Sequence, residues 1–391
     1  MANNTPPLAR RMAEIAPFRV MDILARAREL EAQGRSIVHM EVGEPDFPTP
    51  TPICEAGIAA LRKGELHYTP APGLSELREA IAGHYRVRDG IDVAPSRIVV
   101  TTGSSGALLL ALGVLVNPGD QVLLADPGYP CNRNFVRLLE GEPVGVAVGP
   151  DGNYQLTPEL LEQHWGSRAA AAIVASPSNP TGTIVPSAHL KAMVQLARER
   201  GGTLIVDEIY HGLVYEGEAT SALTFADDVF VVNSFSKYFN MTGWRLGWLV
   251  VPERYLREVD KLAQNIFISP PAPAQFAALA AFLPETLAIA EAHRAEFKER
   301  RDYLVPALRA LGFDIPHMPE GAFYVYAGCA GLTADSFAFT HDLLERAGVA
   351  IAPGIDFGAN RPHEHVRFSY TKSLDVLAEG VRRIGEFLRR R

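Results

Sequence analysis

The fold is decided by residues 170–211, which contain "AAAIVASPSNPTG" (170–182), "HLKAMVQLARERG" (189–201) and "TLIVDEIYH" (203–211). The first and third segments begin with short, continuous apolar runs, which are typical of strands buried on both faces. The middle segment has apolar residues at helical spacing and ends at Gly201. A strand, a helix and a second strand in this order predict two parallel strands joined by a crossover helix.

Similar segments flank this unit on both sides. Short runs rich in Val, Ile and Leu alternate with helical patterns and include "RIVVTTG" (97–103), "DQVLLAD" (120–126), "VFVVNSFSK" (229–237) and "RLGWLVVP" (245–252). The alternation predicts an α/β fold, in which a mostly parallel sheet is covered on both faces by helices.

The pattern changes after Pro271. A long amphipathic helical stretch is followed by the strands "AFYVYAG" (322–328) and "HVRFSY" (365–370) and by a closing helix. We interpret this part as a smaller α+β domain, which the N-terminal helix "VMDILARARELEAQG" (20–34) could join. The expected division is an N-terminal arm with part of the small domain (1–45), a large domain (46–284) and a C-terminal small domain (285–391).

The bulk composition is that of a soluble globular protein. The 391 residues are 47% hydrophobic and 21% charged, and the net charge of -8 argues against binding to nucleic acid or to an anionic membrane surface. Cys54, Cys131 and Cys329 are far apart, so neither a disulfide framework nor a zinc site is expected. We find no signal sequence and no apolar stretch of membrane-spanning length, and a cytoplasmic location is the expectation.

Polar residues follow several of the predicted strands: Gly103 to Ser105, Asp126, Ser176 to Asn179, Asp207, and Ser234 to Lys237. Ligands of open parallel sheets bind beyond the carboxyl ends of the strands. Five such endings at one edge of the sheet therefore predict a binding or catalytic site there.

Lys237 is unusual among the six lysines. The others lie in helical patterns or in a loop, where a solvated surface lysine is the ordinary interpretation: Lys63, Lys191, Lys261, Lys298 and Lys372. Lys237 alone follows a buried type of strand within a serine-rich turn. It is either a surface lysine or a desolvated amine with a lowered pKa, available as a nucleophile towards an aldehyde.

Other candidates also have two interpretations. Asp207 is either a helix cap or the partner of a cation, and "NPTG" after Ser178 is either a plain turn or part of the site. Arg367 lies in a strand with apolar neighbours, where it needs either an internal acid or a substrate carboxylate. The turn "TTGSSGALLLAL" (101–112) leads into a helix N-terminus and could hold a phosphate, as could Arg245. A metal site at His363 and His365 is not expected.

Together these residues suit an aldehyde cofactor with a pyridine ring and a phosphate. The segment "SFSKYFNMTGWRLG" (234–247) resembles the signature of the class I and II aminotransferases, which are pyridoxal-phosphate enzymes of fold type I. The resemblance covers essentially the whole chain and includes "GEPDFPTP" (43–50), "HYTPAPGLSELREAI" (67–81), "NPGDQVLLADPGYP" (117–130), "SPSNPTG" (176–182), "VDEIYHGLVY" (206–215), "PEGAFYVY" (319–326) and "VRFSY" (366–370). It implies that the large sheet has seven strands.

The resemblance also implies residue roles around pyridoxal 5'-phosphate. Lys237 would form the Schiff base and move the proton, and Asp207 would pair with the pyridine nitrogen. Tyr210 and Asn179 would bond the phenolic oxygen, and Tyr129 would stack on the ring. The phosphate would be held by Gly103, Ser104, Ser105, Ser234, Ser236, Arg245 and, from a neighbouring subunit, Tyr68. Arg367 would bind the substrate α-carboxylate with the backbone at Gly43 and with Asn179, and the active unit would be a homodimer.

The implied reaction moves an amino group from an L-amino acid to a 2-oxo acid, with 2-oxoglutarate as the family-level acceptor, in two ping-pong half-reactions. The stretch "NIFISPPAPAQFAAL" (265–279) is less polar than in many relatives, and no residue is marked by sequence as a clamp for a side-chain carboxylate. The donor therefore stays open. A C–S lyase or another β-eliminating or synthase enzyme on the same scaffold is the alternative, and a DNA-binding regulator is disfavoured by the acidic chain.

Overall fold

The computed structural model describes residues 7–64 and 66–390. Its helices are α1 (Arg19–Ala32), α2 (Thr51–Lys63), α3 (Ser75–Asp89), α4 (Gly103–Leu115), α5 (Pro130–Leu138), α6 (Pro158–His164), α7 (Ser187–Glu199), α8 (Leu256–Ile266), α9 (Ala272–Ala278), α10 (Pro284–Ala310), α11 (Ser336–Ala347) and α12 (Leu374–Arg389). Its strands are β1 (Val38–His39), β2 (Ile98–Thr101), β3 (Gln121–Asp126), β4 (Glu142–Ala147), β5 (Ala169–Ala175), β6 (Thr203–Asp207), β7 (Phe230–Ser234), β8 (Gly247–Val250), β9 (Tyr324–Gly328), β10 (Val349–Ala350), β11 (Ala352–Pro353) and β12 (His365–Ser369).

The large sheet has seven strands in the order β2-β8-β7-β6-β5-β3-β4. Strand β8 is antiparallel to both of its neighbours, and the other pairs are parallel. Every residue of β2, β6, β7 and β8 is buried, which explains why these strands are continuous apolar runs rather than alternating ones. The predicted α/β class, with a mostly parallel seven-stranded sheet between helices, is confirmed.

The C-terminal part contains a three-stranded antiparallel sheet in the order β11-β12-β9. The N-terminal segment pairs with this C-terminal part in a separate two-stranded sheet, because β1 is parallel to β10, with Val38 opposite Val349. Helix α1 buries Ile23, Ala27 and Leu30 in a small apolar cluster with Leu344 and Ala350. These contacts join the N-terminal and C-terminal parts of the chain, and the domain division with boundaries at 45 and 284 stays a prediction.

Two local features differ from the sequence pattern. The helical stretch after Pro271 is broken, because Leu283 is extended and Pro284, which lacks an N–H to continue a preceding helix, starts α10 afresh. The edge strand β4 was not among the expected strands, since Pro143 and Gly145 interrupt its apolar pattern. Within the described residues no single helix is long and apolar enough to cross a membrane; residues 272–282 and 284–310 pass that test only as a pair, bent by 83°.

Candidate active site

A cavity of about 340 Å³ opens at the carboxyl ends of the parallel strands, where the sequence placed the site. Of the predicted site residues, only Gly103 and Tyr68 do not line it. Those that do are Gly43, Ser104, Ser105, Tyr129, Asn179, Asp207, Tyr210, Ser234, Ser236, Lys237, Arg245 and Arg367. We call it the active cavity. The fold therefore brings together residues that are up to 324 positions apart in the chain, from Gly43 to Arg367.

Lys237 lies just beyond the end of β7, with its amine directed into the active cavity. Its Nζ donates a hydrogen bond to the carbonyl oxygen of Gly43 at 2.7 Å and lies 5.6 Å from the centre of the Phe323 ring. Burial lowers the pKa of the Lys237 amine from 10.5 to about 8, with a partial opposing effect from Glu44. The lysine is therefore held in place and is much more readily deprotonated than a surface lysine.

Asp207 ends β6 on the floor of the same cavity and is only 6% exposed. Burial raises the pKa of its carboxyl group to about 6, and the backbone N–H of Ile209, which donates to Oδ1 at 3.2 Å, only partly offsets this effect. A buried carboxylate with so few donors is stabilised by a cationic partner. Asp207 is thus arranged to bind a protonated nitrogen.

Arg367 is 2% exposed and projects from β12. It donates from Nη1 to the Asn179 side-chain oxygen at 2.9 Å and from Nη2 to the Glu41 carbonyl oxygen, and its planar group lies against the rings of Tyr324 and Phe357. No carboxylate pairs with it within the described part of the chain, and its buried Nε has no hydrogen-bond partner. The internal salt bridge that the sequence left open is therefore not formed among these residues.

Tyr210 and Tyr324 form a buried pair beside Arg367, with their hydroxyl oxygens 2.8 Å apart. Burial raises the pKa of Tyr210 well above its ordinary value, so both phenols stay protonated hydrogen-bond donors near neutral pH. Tyr324 explains the glycine at position 43, because a Cβ added there would lie 1.9 Å from the tyrosine hydroxyl. Tyr324 belongs to the segment "PEGAFYVY" that carries the family resemblance, but the sequence alone predicted no role for it.

A further group of residues in the active cavity, which we call the anion cradle, is suited to hold an anion. Helix α4 begins at Gly103, and its first-turn N–H groups are not capped by the side chain of Thr102. The Ser234 and Ser236 hydroxyl groups lie 3.0 Å apart and face the same space. Arg245 belongs to this group and approaches Gly103, where an added Cβ would meet its Nη2 at 2.6 Å. Donors and positive charge thus converge as phosphate recognition requires.

Tyr129 and Tyr68 differ in their placement. Tyr129 is half-buried at the N-terminus of α5 and lines the active cavity. Tyr68 is 81% exposed and lies outside it. Asp126 is also outside, since its carboxylate accepts hydrogen bonds from the backbone N–H groups of Ala359 and Asn360. Asp126 therefore follows a strand like the other predicted residues, but it holds the loop around Ala359 and Asn360 and does not line the active cavity.

Residues 7–64 and 66–390 contain no group of three or more His, Cys, Asp or Glu side chains arranged to hold a metal ion. His363 contacts Asp335 at 3.4 Å, and His365 stacks on Tyr326 with ring centres 4.7 Å apart. Both histidines thus have protein partners.

The backbone of residues 40–43 crosses the site and accepts hydrogen bonds from its functional side chains. The carbonyl oxygen of Glu41 binds Arg367, and that of Gly43 binds Lys237. Neighbouring carbonyls accept from the Ser369 N–H at 2.8 Å and from the Thr371 hydroxyl at 3.4 Å. This short stretch therefore links the lysine to the strand that carries the arginine.

His39 anchors the same stretch. Its Nδ1 lies 2.7 Å from Oε1 of the fully buried Glu41, and its Nε2 lies 3.1 Å from Oε1 of Glu31 on α1. Two carboxylate oxygens facing both ring nitrogens favour a doubly protonated ring, and the hydrogen bond with Glu41 raises the pKa of His39. Sequence reasoning missed this histidine, since nothing in "SIVHMEVG" marks it.

Replacing His39 by glutamine is expected to destabilise the protein at low pH by about 1–3 kcal/mol, because Glu41 would lose its charged partner while remaining buried. Since the folded state raises the pKa of His39, the wild-type advantage is complete below about pH 6.5 and is lost as the pH rises through the folded value. Thermal unfolding of both proteins across this pH range tests the prediction. His363→Gln, an exposed histidine, is the matched control, and a difference that grows with pH would contradict it.

Known proteins resemble this chain over nearly its whole length. The model of the family "aminotransferase class I and II" matches residues 35–384. A valine–pyruvate aminotransferase of Mycobacterium tuberculosis is 43% identical over 378 residues, which are 96% of this chain and 97% of that protein. A (5-formylfuran-3-yl)methyl phosphate transaminase of Methanocaldococcus jannaschii is 38% identical, over 97% of this chain and 99% of that protein.

The same relationship holds in three dimensions. The crystal structure of an aminotransferase from Mycobacterium tuberculosis superposes with a TM-score of 0.95 at 42% identity, covering 99% of this chain and all of that one. The chain belongs to the class I and II aminotransferases, a family of pyridoxal-phosphate enzymes, and is an aminotransferase. The resemblance found from the sequence is thereby confirmed.

Proposed function

We propose that this aminotransferase binds pyridoxal 5'-phosphate in the active cavity and moves an amino group from an L-amino acid to a 2-oxo acid in two half-reactions. When bound, the cofactor supplies an aldehyde that accepts the amino group and a ring that stores electrons during proton removal. The observation that carries the proposal is the placement of the desolvated Lys237, the buried Asp207 and the anion cradle along one cavity.

The residues fit the cofactor from one end to the other. The cradle of Ser104, Ser105, Ser234, Ser236 and Arg245, with the backbone at Gly103, suits its phosphate. Asp207 suits the ring nitrogen, because a protonated pyridine would relieve the cost of burying this carboxylate. Tyr210 is a protonated donor available to the ring oxygen, and the half-buried Tyr129 supplies an aromatic face for stacking.

Lys237 would both attach the cofactor and move the proton. A lysine with a pKa of about 8 is partly a free amine at neutral pH, so it can act first as a nucleophile and afterwards as a general base. Its hydrogen bond to the Gly43 carbonyl holds the amine at a fixed place in the cavity. Lys237 alone could therefore perform both roles.

Another part of the cavity would bind the substrate. The guanidinium of Arg367, which has no carboxylate partner among the described residues, suits an α-carboxylate, and its bond to Asn179 keeps its plane fixed. Amino acids and 2-oxo acids share this carboxylate, so one arginine can serve both half-reactions. The acceptor 2-oxoglutarate remains a family-level proposal.

A homodimer with active sites at the interface is part of the proposal. Ile58 and Leu61 on α2 are 45% and 57% exposed, and Tyr68, shortly after this helix, is 81% exposed. Such a group of exposed large side chains suits a protein interface. Light scattering at micromolar concentration tests this, and a monomer that binds the cofactor fully would contradict it. The cytoplasmic location stays a prediction.

The test of the function is a single half-reaction. The cofactor-loaded protein is mixed with an excess of one amino acid and no acceptor, and oxo acid and ammonia are both measured. Transamination predicts one oxo acid per site, no further turnover until a 2-oxo acid is added to collect the amino group, and no ammonia at any stage. Repeated turnover with release of ammonia would instead identify the eliminating enzyme that the sequence left as the alternative.

A further inference from the structure

A second cavity of about 180 Å³ lies beside the active cavity. We call it the side cavity. The two share Tyr129, Ala175 and Asn179 as walls, so they are neighbours on either side of these residues. Much of the remaining wall is apolar and includes Leu124 and Ile173. The shared wall places the side cavity next to the carboxylate site, because Asn179 accepts a hydrogen bond from Arg367.

Arg133 on α5 lines the side cavity and is half-buried. Its guanidinium forms no side-chain hydrogen bond and no ion pair with any residue in the described part of the chain, and its positive charge acts on the nearby Cys131 thiol. Arg137, one turn later on the same helix, pairs with Glu14 at 3.0 Å. Partial burial of a guanidinium costs free energy unless an anion or a water molecule accepts its hydrogen bonds.

A second polar group of the side cavity is also incomplete. Asn132 is 6% exposed, and its buried side-chain oxygen has no hydrogen-bond partner. The amide nitrogen of Gln155 is already bound to the carbonyl oxygens of Ala175 and Thr183. Asp126 is the one carboxylate that lines this cavity among the described residues; it accepts hydrogen bonds from the N–H groups of Ala359 and Asn360 and forms no ion pair with Arg133.

The active cavity offers no other spare cation for a substrate side chain. Its cationic lining residues, within the chain that the structure describes, are Lys237, Arg245 and Arg367, which the proposed function assigns to the amine, the phosphate and the α-carboxylate. Phe18, Met21 and Val42 add apolar surface to its wall. A second anionic group on a substrate would therefore find its cation in the side cavity.

We propose that Arg133 binds the distal anionic group, a carboxylate or a phosphate, of substrates whose α-carboxylate lies at Arg367. The inference rests on the proposed function and adds the substrate class to it: amino acids and 2-oxo acids with an apolar stem and an anionic end. The apolar walls of the side cavity contact the stem, and Arg133 supplies the paired N–H donors that a carboxylate or phosphate group requires. Arg133 acts in binding and takes no part in proton transfer.

The test compares Arg133→Gln with the wild type on three groups of substrates. Glutamate and 2-oxoglutarate carry a distal carboxylate, O-phosphoserine carries a phosphate, and the pair of alanine and 2-oxobutyrate carries neither. We expect the variant to lose about 10- to 100-fold in kcat/KM for one or both anionic groups and to keep its activity on the neutral pair, since a hydrogen bond to a charged group contributes about 1.5–3 kcal/mol. The group that responds distinguishes carboxylate from phosphate. Arg137→Gln is the matched control on the same helix.

A binding measurement separates this inference from the proposed function. Calorimetry with glutarate and with butyrate, which differ by one carboxylate, needs no turnover. The wild type should bind glutarate at least tenfold more tightly than Arg133→Gln does, and the two proteins should bind butyrate alike. Equal losses on charged and neutral substrates, or unchanged glutarate affinity, would overturn the role of Arg133 while leaving transamination intact. Absence of transamination in the wild type would instead overturn the proposed function.

Discussion

Replacing Lys237 by alanine is expected to lower turnover by on the order of 10⁴-fold, because the same amine attaches the cofactor and moves the proton. The remaining contacts with the phosphate and the ring should still let the cofactor bind without a covalent bond. Steady-state kinetics on purified protein measures the loss. Lys261→Ala removes an exposed lysine that pairs with Glu258, and it should leave turnover unchanged. Wild-type activity in Lys237→Ala would contradict the assignment.

The lowered pKa of Lys237 adds a dependence on pH. With a pKa of about 8 the fraction of free amine at pH 7 is roughly 300-fold larger than for a lysine of ordinary pKa. The rate at which the cofactor-free protein captures the cofactor should therefore rise about tenfold per pH unit up to pH 8 and then level off. A rate that keeps rising beyond pH 10 would show that the lysine is not desolvated.

The same shift affects the stability of the cofactor-free protein. The folded state lowers the pKa of this lysine, so its burial is unfavourable below about pH 8 and the cost disappears above the ordinary value of 10.5. Lys237→Met, which keeps the volume without the charge, should therefore raise the melting temperature at pH 6–7. The gain should shrink as the pH approaches 10.5.

Replacing Arg367 by alanine is expected to raise KM for amino acids on the order of 10²- to 10³-fold, since removing one partner of a buried charged pair costs about 2–5 kcal/mol. The substrate α-carboxylate would lose its cation, and the Asn179 side chain would lose the donor that it binds at 2.9 Å. Cofactor capture should change little, because the phosphate cradle and Lys237 are elsewhere in the cavity. A raised KM for amino acids together with an unchanged rate of cofactor capture would support the carboxylate role.

Arg367→Lys is the informative companion. It keeps the charge but loses the flat group that lies against Tyr324 and Phe357 and reaches both Asn179 and the Glu41 carbonyl. We expect partial recovery at most. A KM in Arg367→Ala no worse than that of the wild type would refute the carboxylate role.

Much of the fold was predictable because the parallel strands are buried on both faces and therefore appear as continuous apolar runs. The run "TLIVD" marked β6 and also placed Asp207 at the edge where ligands bind. Strand β4 was not predictable in this way, since it lies at the sheet edge and includes Pro143 and Gly145. The break before α10 depends on a single proline in an otherwise continuous helical pattern.

The site was predictable where a residue follows a strand or belongs to a motif that carries the family resemblance. The cluster around Lys237, with Ser234, Ser236 and Arg245, is local in sequence and was found as a unit. Contacts that depend on chain folding were not found. Tyr324 meets Tyr210 only because β9 packs against the site, and His39 meets Glu31 only because α1 lies over the first strand.

Arg133 illustrates the limit most directly. In the sequence it is one more arginine on a helix, no different from Arg137 four residues later. Only the fold distinguishes them, by pairing Arg137 with Glu14 and leaving Arg133 at the wall of a cavity. Substrate preference depends on such placements, which explains why the sequence defined the chemistry but left the donor open.

The most direct test of the central claim is to reduce the cofactor-loaded protein with borohydride and to map the labelled peptide by mass spectrometry. Reduction makes the bond between a lysine amine and the cofactor aldehyde permanent. We expect one cofactor per chain, on Lys237, and no label in Lys237→Ala. Label on another of the six lysines, or none at all in the yellow wild-type protein, would contradict it.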